Sequence, residues 1–160
     1  MSRRDDTALP PADWVDRALV ATFVSFAATS LLFDRAAALD WVGPDVADPF
    51  GRALWWYGTH FDPLVAENPL FLRVMSALSA FVFGPFYFVL AWGLAKRRAW
   101  IRLPAVAYAS VMLYSMGVHV VVELWCDTPP PNLWVFFGTY LAYIAAPLVL
   151  LRRMTVGGPR

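Results

Sequence analysis

The composition of this 160-residue chain is that of a membrane protein, because 59% of its residues are hydrophobic and only 16% are charged. A water-soluble domain would carry about a quarter charged residues. The net charge of +1 argues against nucleic acid as a partner, and the lone Cys126 rules out an internal disulfide and a cysteine metal site.

Four apolar runs, each about 20 residues long, dominate the chain. They cover residues 15–33, 74–95, 103–124 and 133–151. A helix of that length crosses the ~30 Å hydrocarbon layer and satisfies its backbone hydrogen bonds internally. The pattern predicts an all-α membrane protein, a bundle of four transmembrane helices that forms a single domain over 1–160. We expect 1–13 to be a flexible cytoplasmic N-terminus and 154–160 to be a short C-terminal tail.

The basic residues predict the orientation of the bundle. Most arginines and the single lysine lie near the chain termini or in the 96–102 link, whereas Arg35, Arg52 and Arg73 lie on the other side. The positive-inside rule then places both termini in the cytoplasm. Twelve arginines against one lysine are typical of a GC-rich bacterial genome. We therefore expect a bacterial plasma membrane, or the endoplasmic reticulum membrane if the host is eukaryotic.

The segment between the first two spans, 34–73, is too long for a structureless loop in a compact bundle. We expect it to be partly helical, over 49–60, and to pack over the outer mouth of the bundle. It contains WYGTHFDPL at 56–64, with three aromatic rings, an imidazole and a carboxylate. Three further aspartates, Asp40, Asp45 and Asp48, lack the spacing of a calcium loop, so no metal and no cofactor is predicted.

Ionisable side chains within the spans are the first functional candidates, because a charge in hydrocarbon is costly unless it is paired or hydrated. Asp34 ends the first span and is either an interfacial residue paired with Arg35 or a carboxylate at the mouth of a cavity. His119 and Glu123 stand four residues apart and share one helix face. They form either a self-neutralised pair or a pair that donates and removes protons.

Other polar and proline residues in the spans permit a cavity without specifying its ligand. Tyrosine hydroxyls in the last two spans, including those of Tyr108 and Tyr140, are expected to form helix–helix hydrogen bonds or to contact a ligand. Pro85 and Pro147 lie inside apolar spans, where proline removes a backbone hydrogen bond and bends the helix. Bent helices can splay and leave a pocket.

Four ordered motifs resemble those of the EXPERA-domain membrane proteins, the family of the sigma-2 receptor type and of emopamil-binding protein, a sterol double-bond isomerase. The motifs are WY at 56–57, FDPL at 61–64, GPF at 84–86 and WIR-x-PA-x-x-Y at 100–108. The resemblance covers roughly residues 18–153, nearly the whole chain.

The resemblance implies a four-helix bundle whose central cavity opens to lipid and binds sterols or other amphiphiles, often cationic amines. It also implies that Asp34 and Asp62 match two carboxylates of the sigma-2 type, of which one meets a ligand amine and the other holds the site. WYGTHFDPL would then be the lid of the cavity, unless its Asp-Pro is only a helix start. The ligand-binding candidates are Asp34, Trp56, Tyr57, His60, Phe61, Asp62, Tyr108 and Tyr140.

The chain departs from the isomerase at positions that matter for catalysis. Ser76 stands where the isomerase has a catalytic glutamate, and FVSFAATS at 23–30 lacks the His-x-x-x-Glu of its first span. Ser79 and Phe83 stand where the sigma-2 type has a glutamate and a glutamine. Sterol isomerisation in its usual form is therefore not expected, and the acid–base pair that remains is the one in the third span.

Three functions stay open. The first is non-catalytic binding of a sterol-like, terpenoid or amine-bearing amphiphile. The second is isomerisation of a sterol or polyprenoid by His119 and Glu123. The third is an interaction or stability factor for another membrane protein, which small-residue faces at Ala27-Ala28 and Gly117 favour weakly. We also allow for a homodimer.

Overall fold

The computed structural model describes residues 13–156, the side chain of Val156 excepted, and this part of the chain contains helices and turns without a β-strand. Its helices are α1 (Trp14–Ala38), α2 (Pro49–Phe61), α3 (Pro63–Glu67), α4 (Leu70–Ala95), α5 (Arg102–Trp125) and α6 (Leu133–Val156). A 3₁₀ turn, Ala99–Ile101, precedes α5. The predicted flexible N-terminus and C-terminal tail lie outside the described residues, except for Asp13 and 154–156.

Four of these helices, α1, α4, α5 and α6, are long and apolar enough to cross a membrane, which confirms the predicted all-α membrane bundle. Their outer faces carry large apolar side chains that are more than half exposed, as a lipid-facing surface requires. Examples are Val74, Phe81, Val121 and Leu141. The spans run longer than predicted at most ends, because the hydropathy of the flanking turns is mixed. The helix predicted at 49–60 is α2.

The hydrophobic core fills only one half of the bundle. Here α1 packs along α4, and α5 packs along α6. Phe23 stacks on Tyr87 with ring centroids 6.0 Å apart, and Tyr108 meets Phe23 edge-on at 5.9 Å. Leu90 and Leu150 belong to the same cluster as these rings and are fully buried. The half that contains it ends at the link between α4 and α5, which we call the basic end.

An ion-pair cluster closes the basic end. The carboxylate of Asp16, which is only 4% exposed, accepts hydrogen bonds from Arg97 at 2.6 Å and from Arg153 Nε at 3.2 Å. Arg153 also pairs with Asp13 at 2.8 Å, and Asp13 caps α1 by accepting from the backbone N–H of Asp16. The cluster joins α1, the α4–α5 link and α6.

Two π-helical turns interrupt the spans in the other half. They are Ser30–Asp34 in α1 and Ser79–Phe83 in α4, and they pack against each other. The second ends just before Gly84-Pro85, where proline cannot donate its i→i−4 hydrogen bond. Gly84 allows a close approach, since a Cβ there would lie 3.2 Å from Leu31 Cδ2.

The segment between α1 and α4 is folded back onto the bundle at the opposite end, which we call the loop end. Asp48 caps α2 by accepting from the N–H groups of Phe50 and Gly51, both at 2.9 Å, and pairs with Arg35 at 3.1 Å. The α2–α3 corner is tight at Gly58, where a Cβ would lie 2.4 Å from the backbone nitrogen of Ala66. Helices α2 and α3 are therefore fixed at this end.

The junctions of this segment are also anchored. Asn68 adopts a left-handed conformation, with φ of 45°, that ends α3 and directs its amide to the carbonyl of Ala37 at 3.0 Å. Asp40 pairs with Arg73 and accepts a hydrogen bond from Asn68 at 3.1 Å.

Replacing Asp16 with asparagine should destabilise the bundle. The change leaves the guanidinium groups of Arg97 and Arg153 without their shared carboxylate. We expect a loss of up to about 3 kcal/mol, the low end for breaking a buried pair, because Arg153 keeps 33% of its side chain exposed. Unfolding in detergent micelles measures the change. The exposed Asp45→Asn is the matched control, and equal stability of the two variants would contradict a structural role for the cluster.

Candidate functional site

A cavity of about 400 Å³ occupies the loop-end half of the bundle, between the four spans and beneath α2 and α3. Most of its wall is apolar. Phe33, Leu54, Leu72, Met75, Met112 and Met116 are among the apolar lining residues. The polar lining residues are Thr29, Asp34, Tyr57, Ser76, Ser79, Ser115, His119, Thr139, Tyr140 and Tyr143. Such an apolar pocket with a few convergent polar groups is typical of a small-molecule site.

Asp34 reaches the cavity from the π-turn of α1. Its carboxylate accepts a hydrogen bond from the hydroxyl of Ser79 at 2.5 Å, and Ser79 is in turn 3.0 Å from the hydroxyl of Ser30. Arg35 is directed away and pairs with Asp48. Within residues 13–156 no ion pair includes Asp34. The structure thus favours the carboxylate at a cavity over the interfacial pair with Arg35.

His119 and Glu123 lie on one face of α5, as their spacing predicts. The Nε2 atom of His119 is 3.7 Å from Oε1 of Glu123, which is an ion-pair distance rather than a hydrogen bond. Both side chains are buried, at 2% and 0% exposed, but His119 contributes to the cavity wall whereas Glu123 lies behind it. The His119 ring packs edge-on against Tyr140, with centroids 4.6 Å apart.

Asp62 lies at the corner between α2 and α3 and is fully buried. It accepts a hydrogen bond from the hydroxyl of Tyr140 at 2.9 Å. The other carboxyl oxygen of Asp62, Oδ1, is buried without a hydrogen-bond partner among the described residues, and so are both carboxyl oxygens of Glu123. Burial raises the pKa of Asp62 above its ordinary value of 3.8.

The aromatic residues of WYGTHFDPL are divided between two faces of α2. Tyr57 lines the cavity, and its hydroxyl donates to Thr139 of α6 at 3.2 Å. Trp56 and His60 are exposed on the outer face, where their rings lie 4.8 Å apart and His60 Nδ1 donates to the Trp56 carbonyl at 2.7 Å. Phe61 packs at the edge against both Trp56 and Tyr57.

Tyr108 lies in the core of the basic half rather than on the cavity wall. Its ring contacts Phe83, Phe86 and Tyr87, and its hydroxyl donates to that of Tyr87 at 3.4 Å. Of the two roles expected for Tyr108, a helix–helix hydrogen bond or contact with a ligand, the structure contains the first. Tyr108 reaches the cavity only through Phe83, which does line it.

Several residues of the cavity wall are not among the candidates that the sequence provides. Ser79, a departure from the sigma-2 pattern, is the hydrogen-bond partner of Asp34. Thr29 and Tyr143 join α1 to α6 through hydroxyls 2.9 Å apart, and Tyr143 stacks on Phe26 at 4.3 Å. Their polarity inside apolar runs was the available signal. No cluster of three or more metal-ligating side chains is found in residues 13–156.

The sequence matches one known protein family. The EXPERA (EXPanded EBP superfamily) family matches residues 49–154, from α2 to near the end of α6. The chain belongs to the EXPERA family. No curated protein and no solved structure matches it individually. The matched part of this EXPERA protein contains Asp62, His119 and Glu123, whereas Asp34 lies before it in α1.

Asp62→Asn should flatten the pH dependence of stability of this EXPERA protein. Because the folded-state pKa is raised, the folded chain binds the proton more tightly than the unfolded chain. The stabilisation is complete below pH about 3.8 and is lost as the pH rises through the raised pKa. Asparagine stays neutral and can still accept the hydrogen bond from Tyr140.

Thermal unfolding in detergent between pH of about 4 and 8 measures this effect. Wild type should lose more stability across that range than Asp62→Asn. The exposed Asp45→Asn should follow wild type. An Asp62→Asn variant with the wild-type pH profile would show that Asp62 holds no shifted proton.

Proposed function

We propose that this EXPERA protein binds an amphiphile with a sterol-like or terpenoid body and a cationic amine in the cavity among its four membrane helices. The observation that carries the proposal is a carboxylate, Asp34, on the wall of an apolar cavity of about 400 Å³. That volume lies within the ~300–1,000 Å³ typical of small-molecule sites. The apolar wall suits a flat hydrocarbon body, and the carboxylate suits an amine.

The surroundings of Asp34 support a charged partner. A carboxylate inside a membrane protein is costly unless it is paired, and the nearest basic residue along the chain, Arg35, is occupied by Asp48. One hydrogen bond from Ser79 orients the Asp34 carboxylate and leaves further acceptor capacity for a ligand. A ligand ammonium would supply the missing charge. Asp62 is fully buried and bonded to Tyr140, so we assign it the role of holding the site.

Asp34→Asn should reduce binding of an amine-bearing amphiphile by about 30-fold or more. Removing one partner of a buried, hydrogen-bonded charge pair costs about 2–5 kcal/mol. The first measurement is mass spectrometry of lipids that co-purify with wild type and with the variant in mild detergent. A sterol or terpenoid amine enriched on wild type should be lost from Asp34→Asn and retained on Asp45→Asn. Equal retention on all three proteins would contradict this role of Asp34.

The second candidate function is isomerisation of a sterol-like or polyprenoid alkene. It is favoured by the position of His119, whose ring forms part of the cavity wall while Glu123 lies 3.7 Å behind it. An acid here would protonate one alkene carbon and leave a carbocation on the other. A base would then remove a proton from the next carbon beyond the cation, so the double bond moves by one position with no net gain or loss of protons. Tyrosine rings on the wall could stabilise the carbocation between these steps.

Variants of the pair separate the two functions. His119→Ala and Glu123→Gln should abolish conversion of a co-purified alkene lipid while retaining its binding, if the protein is an isomerase. Liquid chromatography with mass spectrometry detects the product as a lipid of the same mass with a different retention time or double-bond position. If wild type converts the lipid and both variants convert it equally, His119 and Glu123 are not the acid and base. Binding without conversion by wild type would leave the binding function alone.

We also propose how the bundle is oriented in the membrane and how many domains the chain forms. The basic end carries the link at 96–101 and the ends of α1 and α6, and we propose that it faces the cytoplasm. We further propose that the chain is a single domain, because α2 and α3 pack on the same bundle that α1 and α4 form.

A further inference from the structure

The hydroxyl groups on the α6 side of the cavity use their hydrogens within the protein. Tyr57 donates to Thr139 at 3.2 Å, and Thr139 donates to the carbonyl of Val135 at 3.0 Å. Tyr140 donates to Asp62 at 2.9 Å. A hydroxyl carries one hydrogen and two lone pairs, so each of these oxygens offers a ligand only lone pairs.

The α1 side of the cavity follows the same pattern. Thr29 donates to the carbonyl of Phe26 at 3.1 Å, so Tyr143 is the donor in its 2.9 Å contact with Thr29. Ser79 donates to Asp34 at 2.5 Å, so its remaining contact is one in which it accepts from the neighbouring serine of α1. The Asp34 carboxylate itself is an acceptor. The polar groups on this side are also acceptors for a ligand.

His119 is not part of this pattern. Its Nε2 atom is buried and faces Oε1 of Glu123 at 3.7 Å, which is longer than a hydrogen bond. Ser76 and Ser115 are the two other polar wall residues, and each can donate or accept.

We infer that the cavity selects ligands with hydrogen-bond donors at two separate points: a cationic amine at Asp34, and a hydroxyl or N–H group at the Tyr57, Thr139 and Tyr140 side. This inference rests on the proposed function and adds the second donor to it. A ketone, carboxylate or phosphate at the second point would face lone pairs. Its own acceptor would then be buried without a donor, which costs binding free energy.

Three matched probes test the inference on the purified full chain in detergent micelles. They are aminosteroids that share one ring system and one amine and carry, at the end opposite the amine, a hydroxyl, a ketone or a plain methylene. Isothermal titration calorimetry gives the dissociation constants. The hydroxyl probe should bind about tenfold more tightly than the ketone probe, and the methylene probe should lie between them.

Single tyrosine variants locate the second point. Tyr57→Phe removes one acceptor oxygen and should weaken binding of the hydroxyl probe several-fold while leaving binding of the methylene probe unchanged. Tyr140→Phe is the second variant, and circular dichroism verifies that it folds without its bond to Asp62. Tyr114→Phe is the matched control, because Tyr114 lies on α5 but is 75% exposed on the outer surface.

The outcomes separate this inference from the proposed function. Equal or tighter binding of the ketone probe overturns the donor rule, and so does a hydroxyl preference that both tyrosine variants keep. If either result is found and Asp34→Asn still weakens binding of all three probes equally, amine binding at Asp34 stands but the second donor point does not. Absence of saturable binding by any probe overturns the proposed function and the donor rule together.

Discussion

The hydrogen bond between Ser79 and Asp34 is the interaction on which the loop-end half of the bundle depends. It joins two π-turns, one in α1 and one in α4, through two side chains that lie 45 residues apart in sequence. Each π-turn places one extra residue in a helical turn and turns the following side chains on the helix surface. That rotation brings a carboxylate to the interior wall. The same contact holds α1 against α4 where the packed core has ended, so the cavity and its charge have one structural origin.

Two aspartates of α1, the buried Asp16 and the half-buried Asp34, have different surroundings. Asp16 is surrounded by Arg97 and Arg153, and its charge is neutralised within the protein. Asp34 accepts a hydrogen bond from Ser79, forms no ion pair within residues 13–156 and lies on the cavity wall. The first arrangement closes one end of the bundle, whereas the second leaves a carboxyl group facing the cavity. A buried carboxylate is therefore informative only together with the cations around it.

Hydropathy predicts the four spans, because each apolar run must satisfy its own backbone hydrogen bonds in lipid. The i,i+4 spacing likewise predicts that His119 and Glu123 meet, since both lie on one helix. The contact of Asp62 with Tyr140 joins residues 78 apart, and no local pattern encodes it. The π-turns carry no periodic signal either. The position of Tyr108 depends on which end of the bundle is packed, which follows from tertiary structure alone.

The methionines on the cavity wall make the shape of the cavity adaptable. Met75, Met112 and Met116 have unbranched, polarisable side chains that change rotamer at little cost. A wall of this kind adapts to different ring systems, so steric fit contributes little discrimination between them. Recognition then depends on the few groups whose positions are fixed by hydrogen bonds. Under the proposed binding function, chemically diverse hydrocarbon bodies should be exchangeable, provided that their polar substituents are kept.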